Sequence, residues 1–213
     1  MFLSKLLLNP RSSQVWRDIS LPYQLHRTIL RAFPDAAEGG PGRVLFRVES
    51  TQSSDAIILL VQSDNRPDLT RLGVGAGFLL PGDKDGTPRV ETKEVRFQVL
   101  PRQVLRFRVR ANPTKRSKDG QRLGILGETK QLAWLTRKGE AGGFRPIQVN
   151  IADEGFRDIG KGKEDKDPPI RMLSVLFEGR LEVTDPARFT QVVEDGLGSG
   201  KGFGFGLLSV APA

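Results

Sequence analysis

Tyr23 and His26 are the only tyrosine and the only histidine in the chain, and they lie close together in Ser20-Leu21-Pro22-Tyr23-Gln24-Leu25-His26-Arg27-Thr28-Ile29-Leu30-Arg31-Ala32-Phe33. At about 100° per residue this segment divides into two faces. Leu21, Leu25, Ile29 and Ala32 form an apolar face that can anchor a helix. Tyr23, His26, Arg27, Leu30 and Arg31 form the other face. Such a group can cut RNA without a metal. The ribose 2′-hydroxyl would attack the adjacent phosphate, and an imidazole titrating near neutrality would move a proton. A phenol would bond the 2′-oxygen or the phosphate, or serve as a weak base, and guanidinium groups would stabilise the transition-state charge. The products would carry 2′,3′-cyclic phosphate and 5′-hydroxyl ends. The same pair also fits the half-buried face of a purely structural helix, and acid and base roles stay unassigned between Tyr23 and His26.

Cations recur further along. In Val104-Leu105-Arg106-Phe107-Arg108-Val109-Arg110, strict alternation puts Arg106, Arg108 and Arg110 on one side of a strand. Like-facing side chains then lie roughly 6.5–7 Å apart, near the phosphate spacing of an extended nucleic acid strand. Lys115, Arg116 and Lys118 follow, and no acidic residue occurs from Val95 to Lys118. A merely soluble face would usually mix signs, so this stretch favours phosphate contact. Arg157 and Lys161 flank an expected hairpin in which Asp158, Glu164 and Asp165 interleave.

The tail carries Gly198, Gly200, Gly202, Gly204 and Gly206 around Lys201. It is not a nucleotide-binding P-loop: Asp195 stands where the first glycine is needed and Gly202 where Ser or Thr is needed. Lys201-Gly202-Phe203-Gly204-Phe205 imitates the RNP1 core of RNA recognition motifs, but only seven residues follow Gly206, too few for the helix and strand that should come after it. What survives is a loop whose backbone N–H groups, with Lys201, can approach phosphates closely.

Composition agrees with a polyanionic partner. The net charge is +8, and it is uneven: residues 1–94 hold 12 Lys and Arg against 11 Asp and Glu, whereas residues 95–213 hold 21 against 14. The absence of cysteine excludes disulfides and thiolate sites, and one histidine cannot make a multi-histidine zinc site. Neither a metal nor a small-molecule cofactor is expected. No apolar run approaches a membrane span, and the reading is of a cytoplasmic protein.

The elements that must position these residues follow from periodicity and punctuation. Strands are expected over 2–8, 43–49, 56–62, 103–112, 144–151, 156–159, 170–183 and 207–210, with a short strand near 77–80. Helices are expected over 11–18, from an N-cap at Ser20 to about Phe33, over 128–138, and from Asp185-Pro186 to about Glu194. The second half therefore reads β-α-β-β-α-β, the split βαβ order, and the first half resembles a worn copy. The fold class is α+β, with two tandem ferredoxin-like domains of the kind seen in RNA recognition motifs. One spans 1–80, a linker 81–94, and the second 95–213.

Together these segments resemble the CasE family, the repeat-RNA endoribonucleases of type I-E CRISPR surveillance complexes. The likeness is carried by Leu3 to Pro10, by Pro22-Tyr23-Gln24-Leu25-His26-Arg27-Thr28, by Leu105 to Lys115, by Val175 to Val183 and by the loop Gly198 to Leu208. The chain departs from the family's pattern mainly at 64–94 and 151–170. The resemblance implies cleavage of CRISPR precursor RNA at the base of the repeat hairpin. The catalytic histidine and tyrosine would fall on His26 and Tyr23, and a basic residue one turn on would fall on Arg31. The glycine-rich loop would hold backbone phosphates, and a basic hairpin including Arg157 would lie against the RNA stem. The enzyme would stay on its product and join the other subunits of the complex. A non-catalytic RNA-hairpin-binding subunit is the alternative, and a basic ribosome-associated protein a third reading.

Overall fold

Leu6 and Leu8 alternate with half-buried neighbours along strand β1 (Phe2–Leu8), which lets β1 bury one face while pairing on both edges. The computed structural model describes residues 1–49, 55–72, 77–82, 89–160 and 170–213. These residues form two compact units. The first holds Met1–Arg96, Ile159–Ile170 and Gly202–Gly204, and the second holds Phe97–Asp158, Arg171–Lys201 and Phe205–Ala213.

In the first unit, β1 is followed by α1 (Ser13–Ser20) and α2 (Pro22–Leu30), then β2 (Val44–Glu49), β3 (Ile57–Ser63) and β4 (Val90–Glu94). The sheet is antiparallel in the order β2-β3-β1-β4. Leu6, Leu8, Leu25, Ile29, Phe46, Leu59 and Phe78 make its core. Several expectations need correction here. Ser20 is the last residue of α1, and α2 is preceded by Leu21 with Pro22 in its first turn, so Ser20 caps nothing. Residues 77–80 contribute only an isolated bridge, Leu8 to Leu79. β4 falls inside the expected linker 81–94 yet pairs with β1. Its Val-Glu-Thr-Lys-Glu sequence carries little apolar signal because it is an edge strand, where charged side chains are tolerated.

The second unit runs β5 (Val104–Ala111), β6 (Thr114–Arg116), β7 (Arg122–Gly124), α3 (Glu128–Ala141), β8 (Phe144–Asp158), β9 (Arg171–Val183), α4 (Pro186–Asp195) and β10 (Ser209–Pro212). Its main sheet, order β10-β5-β9-β8, is also antiparallel, and β6 and β7 make a separate two-stranded ribbon. Leu105, Phe107 and Val109 face the core, with Trp134, Phe144, Phe177 and Phe189. As expected, Asp185 caps α4, its carboxylate accepting from the N–H groups of Ala187 and Arg188 at 3.1 Å. The two strands expected over 144–151 and 156–159 are one long strand. β8 absorbs the polar stretch between them through register shifts at Pro146/Gln148 and Asp153/Gly155. Gly179 of β9 is required where β8 shifts: a Cβ there would lie 1.9 Å from the Gln148 carbonyl oxygen.

Both sheets place their own four strands in one order: fourth, first, third, second. No helix of the described residues is long and apolar enough to cross a membrane.

Candidate functional site

Leu25 and Ile29 seat α2 in the core, and a buried hydrogen bond fixes its rotation: Thr28 Oγ1 donates to Asp18 Oδ2 of α1 at 2.8 Å. Both partners are buried, so leaving either alone would be costly. With α2 held this way, Tyr23 and His26 are half-buried, and Arg27 and Arg31 are exposed. The two faces are those expected, except that Leu30, placed with the polar side, packs against the core.

The His26 ring lies on Phe46 of β2, centroids 5.9 Å apart and planes 15° from parallel. Phe46 is fully buried and gives the imidazole a rigid floor. Three residues of the glycine-rich loop also reach this face. A Cβ on Gly202 would lie 3.6 Å from His26 Nε2 and Cδ2. The Phe203 ring is 6.4 Å from that of Tyr23. Gly204 passes over the Phe46 ring with φ +83°, so closely that a Cβ would be 3.2 Å from Cε2. Only glycine meets that conformation and that approach without strain.

His26 Nδ1 is buried without a hydrogen-bond partner among the described residues. Burial lowers the His26 pKa from the usual imidazole value, because it penalises the charged form. The side chain is therefore neutral at pH 7. Its surroundings offer a neutral ring, a phenol and two exposed guanidinium groups. Arg27 has a long contact to Gln24 Oε1 at 3.5 Å, and Arg31 has no ion-pair partner among the described residues.

The basic strand is largely compensated. Arg110 forks onto Glu154, Nε to Oε2 at 2.8 Å and Nη2 to Oε1 at 2.9 Å. Arg157 reaches the same carboxylate at 3.1 Å, and Ser174 also donates to it. Burial opposes ionisation of Glu154, but the bonds from Arg110 and Ser174 and the charges of Arg110 and Arg157 outweigh it and hold its pKa below the usual value. Arg108 pairs with Glu178 at 2.6 Å. Arg106 is exposed and donates to the Pro212 carbonyl at 3.0 Å. Lys115 and Arg116 are exposed on β6. Lys201 is half-buried. Lys161 lies outside the described residues. In the loop, the Gly206 N–H is spent on the Arg110 carbonyl at 2.8 Å, so it is not available to a phosphate.

The sequence matches the model of a CRISPR-associated protein family over residues 1–212. It is 38% identical to the CRISPR-associated endoribonuclease Cse3 of Thermus thermophilus, with both chains covered in full. The chain belongs to the Cse3/CasE family. The CasE likeness read from the motifs is thereby established. The Cascade subunit CasE of Escherichia coli K12 is 30% identical, again over the full length of both. The structure of Thermus thermophilus Cse3 bound to an RNA representing a pre-cleavage complex superposes with a TM-score of 0.83 at 37% identity, covering 99% of this chain and 98% of that one.

Within this Cse3/CasE chain, sequence reasoning missed Phe46, Glu154 and the Asp18–Thr28 bond. Phe46 sits on a strand whose alternation was legible, but nothing in that alternation says which ring floors the imidazole. Glu154 falls between the two expected strands, in a polar run that imitates a loop, so nothing local marked it as paired. A carboxylate half-buried in a sheet is rare unless paired, and Glu154 answers Arg110.

Proposed function

We propose that this chain is a metal-independent endoribonuclease that cleaves CRISPR precursor RNA at the base of the repeat hairpin. The observation that carries the reading is the His26 ring stacked on Phe46 one turn from Tyr23, with the exposed guanidinium groups of Arg27 on the same helix and of Arg31 at its C-terminal cap. The 2′-oxygen attacks phosphorus and the bond to the 5′-oxygen breaks, giving a 2′,3′-cyclic phosphate and a 5′-hydroxyl. The 2′-hydroxyl loses a proton and the 5′-oxygen gains one. In-line displacement puts these two oxygens on opposite sides of the phosphorus, so two groups are needed, and Tyr23 and His26 supply them. His26, neutral in the free protein, can accept a proton at once and must gain one before it can donate. Arg27 and Arg31 stabilise charge on the phosphate oxygens.

The fold reading goes with this function. Two ferredoxin-like units in tandem account for the repeated strand order, and we place the boundary after Arg96 rather than across 81–94. The Escherichia coli relative is a Cascade subunit, which supports membership of a surveillance complex; in this reading the chain stays on its product RNA there and works in the cytoplasm. The RNA-bound Thermus relative supports the substrate class. The test is incubation of the purified chain with its host's repeat RNA in excess EDTA, followed by end-group analysis. Cleavage with cyclic phosphate ends is expected, and His26→Ala should abolish it while RNA binding persists. Uncut RNA in EDTA overturns the metal-free mechanism. Cleavage unaffected by His26→Ala removes His26 from it.

A further inference from the structure

The second unit holds a pocket of about 490 Å³ that involves none of the residues of α2. One wall is the β6–β7 ribbon and the other is α3. Lys115, Arg116 and Arg122 line it from the ribbon, Arg137 and Lys138 from the helix, and no acidic residue is among its lining. Lys138 Nζ stands 5.9 Å over the Trp134 ring. No described residue forms an ion pair with Lys115, Arg116, Arg122 or Arg137. This contrasts with Arg108 and Arg110, whose carboxylates come from β9 next to β5 and from β8 one strand further on.

Two further features point to a ligand. Arg116 and Arg122 are directly opposite each other in the ribbon, an arrangement that is destabilising without an anion between or above them. Asn112, which lines the pocket, is 5% exposed, and its side-chain oxygen is buried without a hydrogen-bond partner among the described residues. Ser199 Oγ, also lining the pocket, is buried and unpartnered too. A buried polar atom left alone costs on the order of 1–3 kcal/mol. A phosphodiester linkage alone would satisfy the cations but could donate nothing to Asn112. A ribonucleotide satisfies both, with its phosphate at the guanidinium groups and a hydroxyl donating to the asparagine oxygen. The volume falls within the range typical of small-molecule sites, roughly 300–1,000 Å³.

We propose that this pocket is a ribonucleotide-phosphate subsite, filled by one nucleotide of an RNA strand and able in principle to take the same group from a free nucleotide. The proposal rests on the reading of the chain as an RNA-binding protein, but it does not depend on cleavage. The test uses the full chain with three probes: a single-stranded oligouridylate, the matching deoxy-oligonucleotide, and free UMP. Binding is followed by fluorescence anisotropy and competition across a salt series. Arg122→Ala with Arg137→Ala changes two exposed side chains. It should weaken oligouridylate binding several-fold and lower the slope of log affinity against log salt by about 0.7 for each phosphate no longer neutralised. Asn112→Ala, or Ser199→Ala should the first not fold, should weaken RNA binding and leave DNA binding unchanged, since DNA lacks the 2′-hydroxyl. Competition by UMP that disappears in the double variant supports the pocket and assigns the group to either source. Loss of UMP binding with unchanged oligouridylate binding assigns it to free nucleotide and overturns the RNA occupant. Unchanged affinity and slope for every probe overturn the subsite. A chain that fails to cut in EDTA yet shows the slope change would lose the nuclease reading and keep this one.

Discussion

Replacing Phe46 by leucine tests whether its ring is a positioning residue for His26 or only core. Phe46 is 1% exposed and belongs to the first unit's core. Complete truncation of a buried phenylalanine costs roughly 3–5 kcal/mol, whereas leucine keeps most of the volume and costs about 1.5 kcal/mol or less. For a chain of this size that is a melting shift of about 3–6 °C, small enough to leave a folded protein. The catalytic effect should be larger than the stability effect. Leucine cannot offer a flat face, so the imidazole loses its stacked floor, and the loop at Gly204 loses the ring it lies against. A displacement of about 1 Å at a catalytic group can cost on the order of 100-fold in rate. Single-turnover cleavage of repeat RNA should therefore fall about 10- to 100-fold with RNA affinity retained. The pH profile should move as well. Burial holds the His26 pKa down. Loosening its cover admits water, so the limb of the profile that reports His26 should shift to higher pH, towards about 6.5. Phe46→Tyr keeps the ring and should restore most of the rate. A folded Phe46→Leu protein that cuts at the wild-type rate with an unmoved profile would refute a positioning role.

Further outcomes follow from the same geometry. Glu154→Gln removes the charge that answers Arg110 and Arg157 and should cost about 1–3 kcal/mol in urea unfolding at pH 7. Because the Glu154 pKa is lowered in the fold, its stabilisation is present above the ordinary carboxylate value. It is lost as pH falls through the folded value, so the gap between wild type and Glu154→Gln should close on acidification below about pH 4. Gly204→Ala forces a Cβ onto a residue at φ +83° and against Phe46. It should cost about 1–2 kcal/mol and reduce cleavage more than RNA binding, measured in parallel by gel shift.

The elements with strong local signals were readable from the sequence. The Leu105-Phe107-Val109 alternation marks β5, and Asp185 followed by Pro186 opens α4. Weakly apolar elements were not readable. β4 is charged because it lies at an edge, and the strands of the β6–β7 ribbon have three residues each, too few for a period to show. The polar run in β8 imitated a loop because register shifts let the strand continue through it. At the site, the singular Tyr23 and His26 announced themselves by type and spacing. The cover over them did not, since Phe46 and Gly202 meet His26, and Phe203 meets Tyr23, only through tertiary folding. The arginine ladder looked uncompensated for a related reason: Glu178 and Glu154 are distant in sequence and arrive on β9, next to β5, and on β8, one strand beyond it.

The reach of Gly202 to Gly204 onto α2 also sets an order of events during synthesis. The helix bearing His26 leaves the ribosome early, but the segment that closes over its ring emerges only after nearly all of the second unit. A nascent chain halted before Gly202 carries the imidazole without this segment beside it. On the proposed nuclease reading, assembly of the covered site is in this way tied to translation of the second unit.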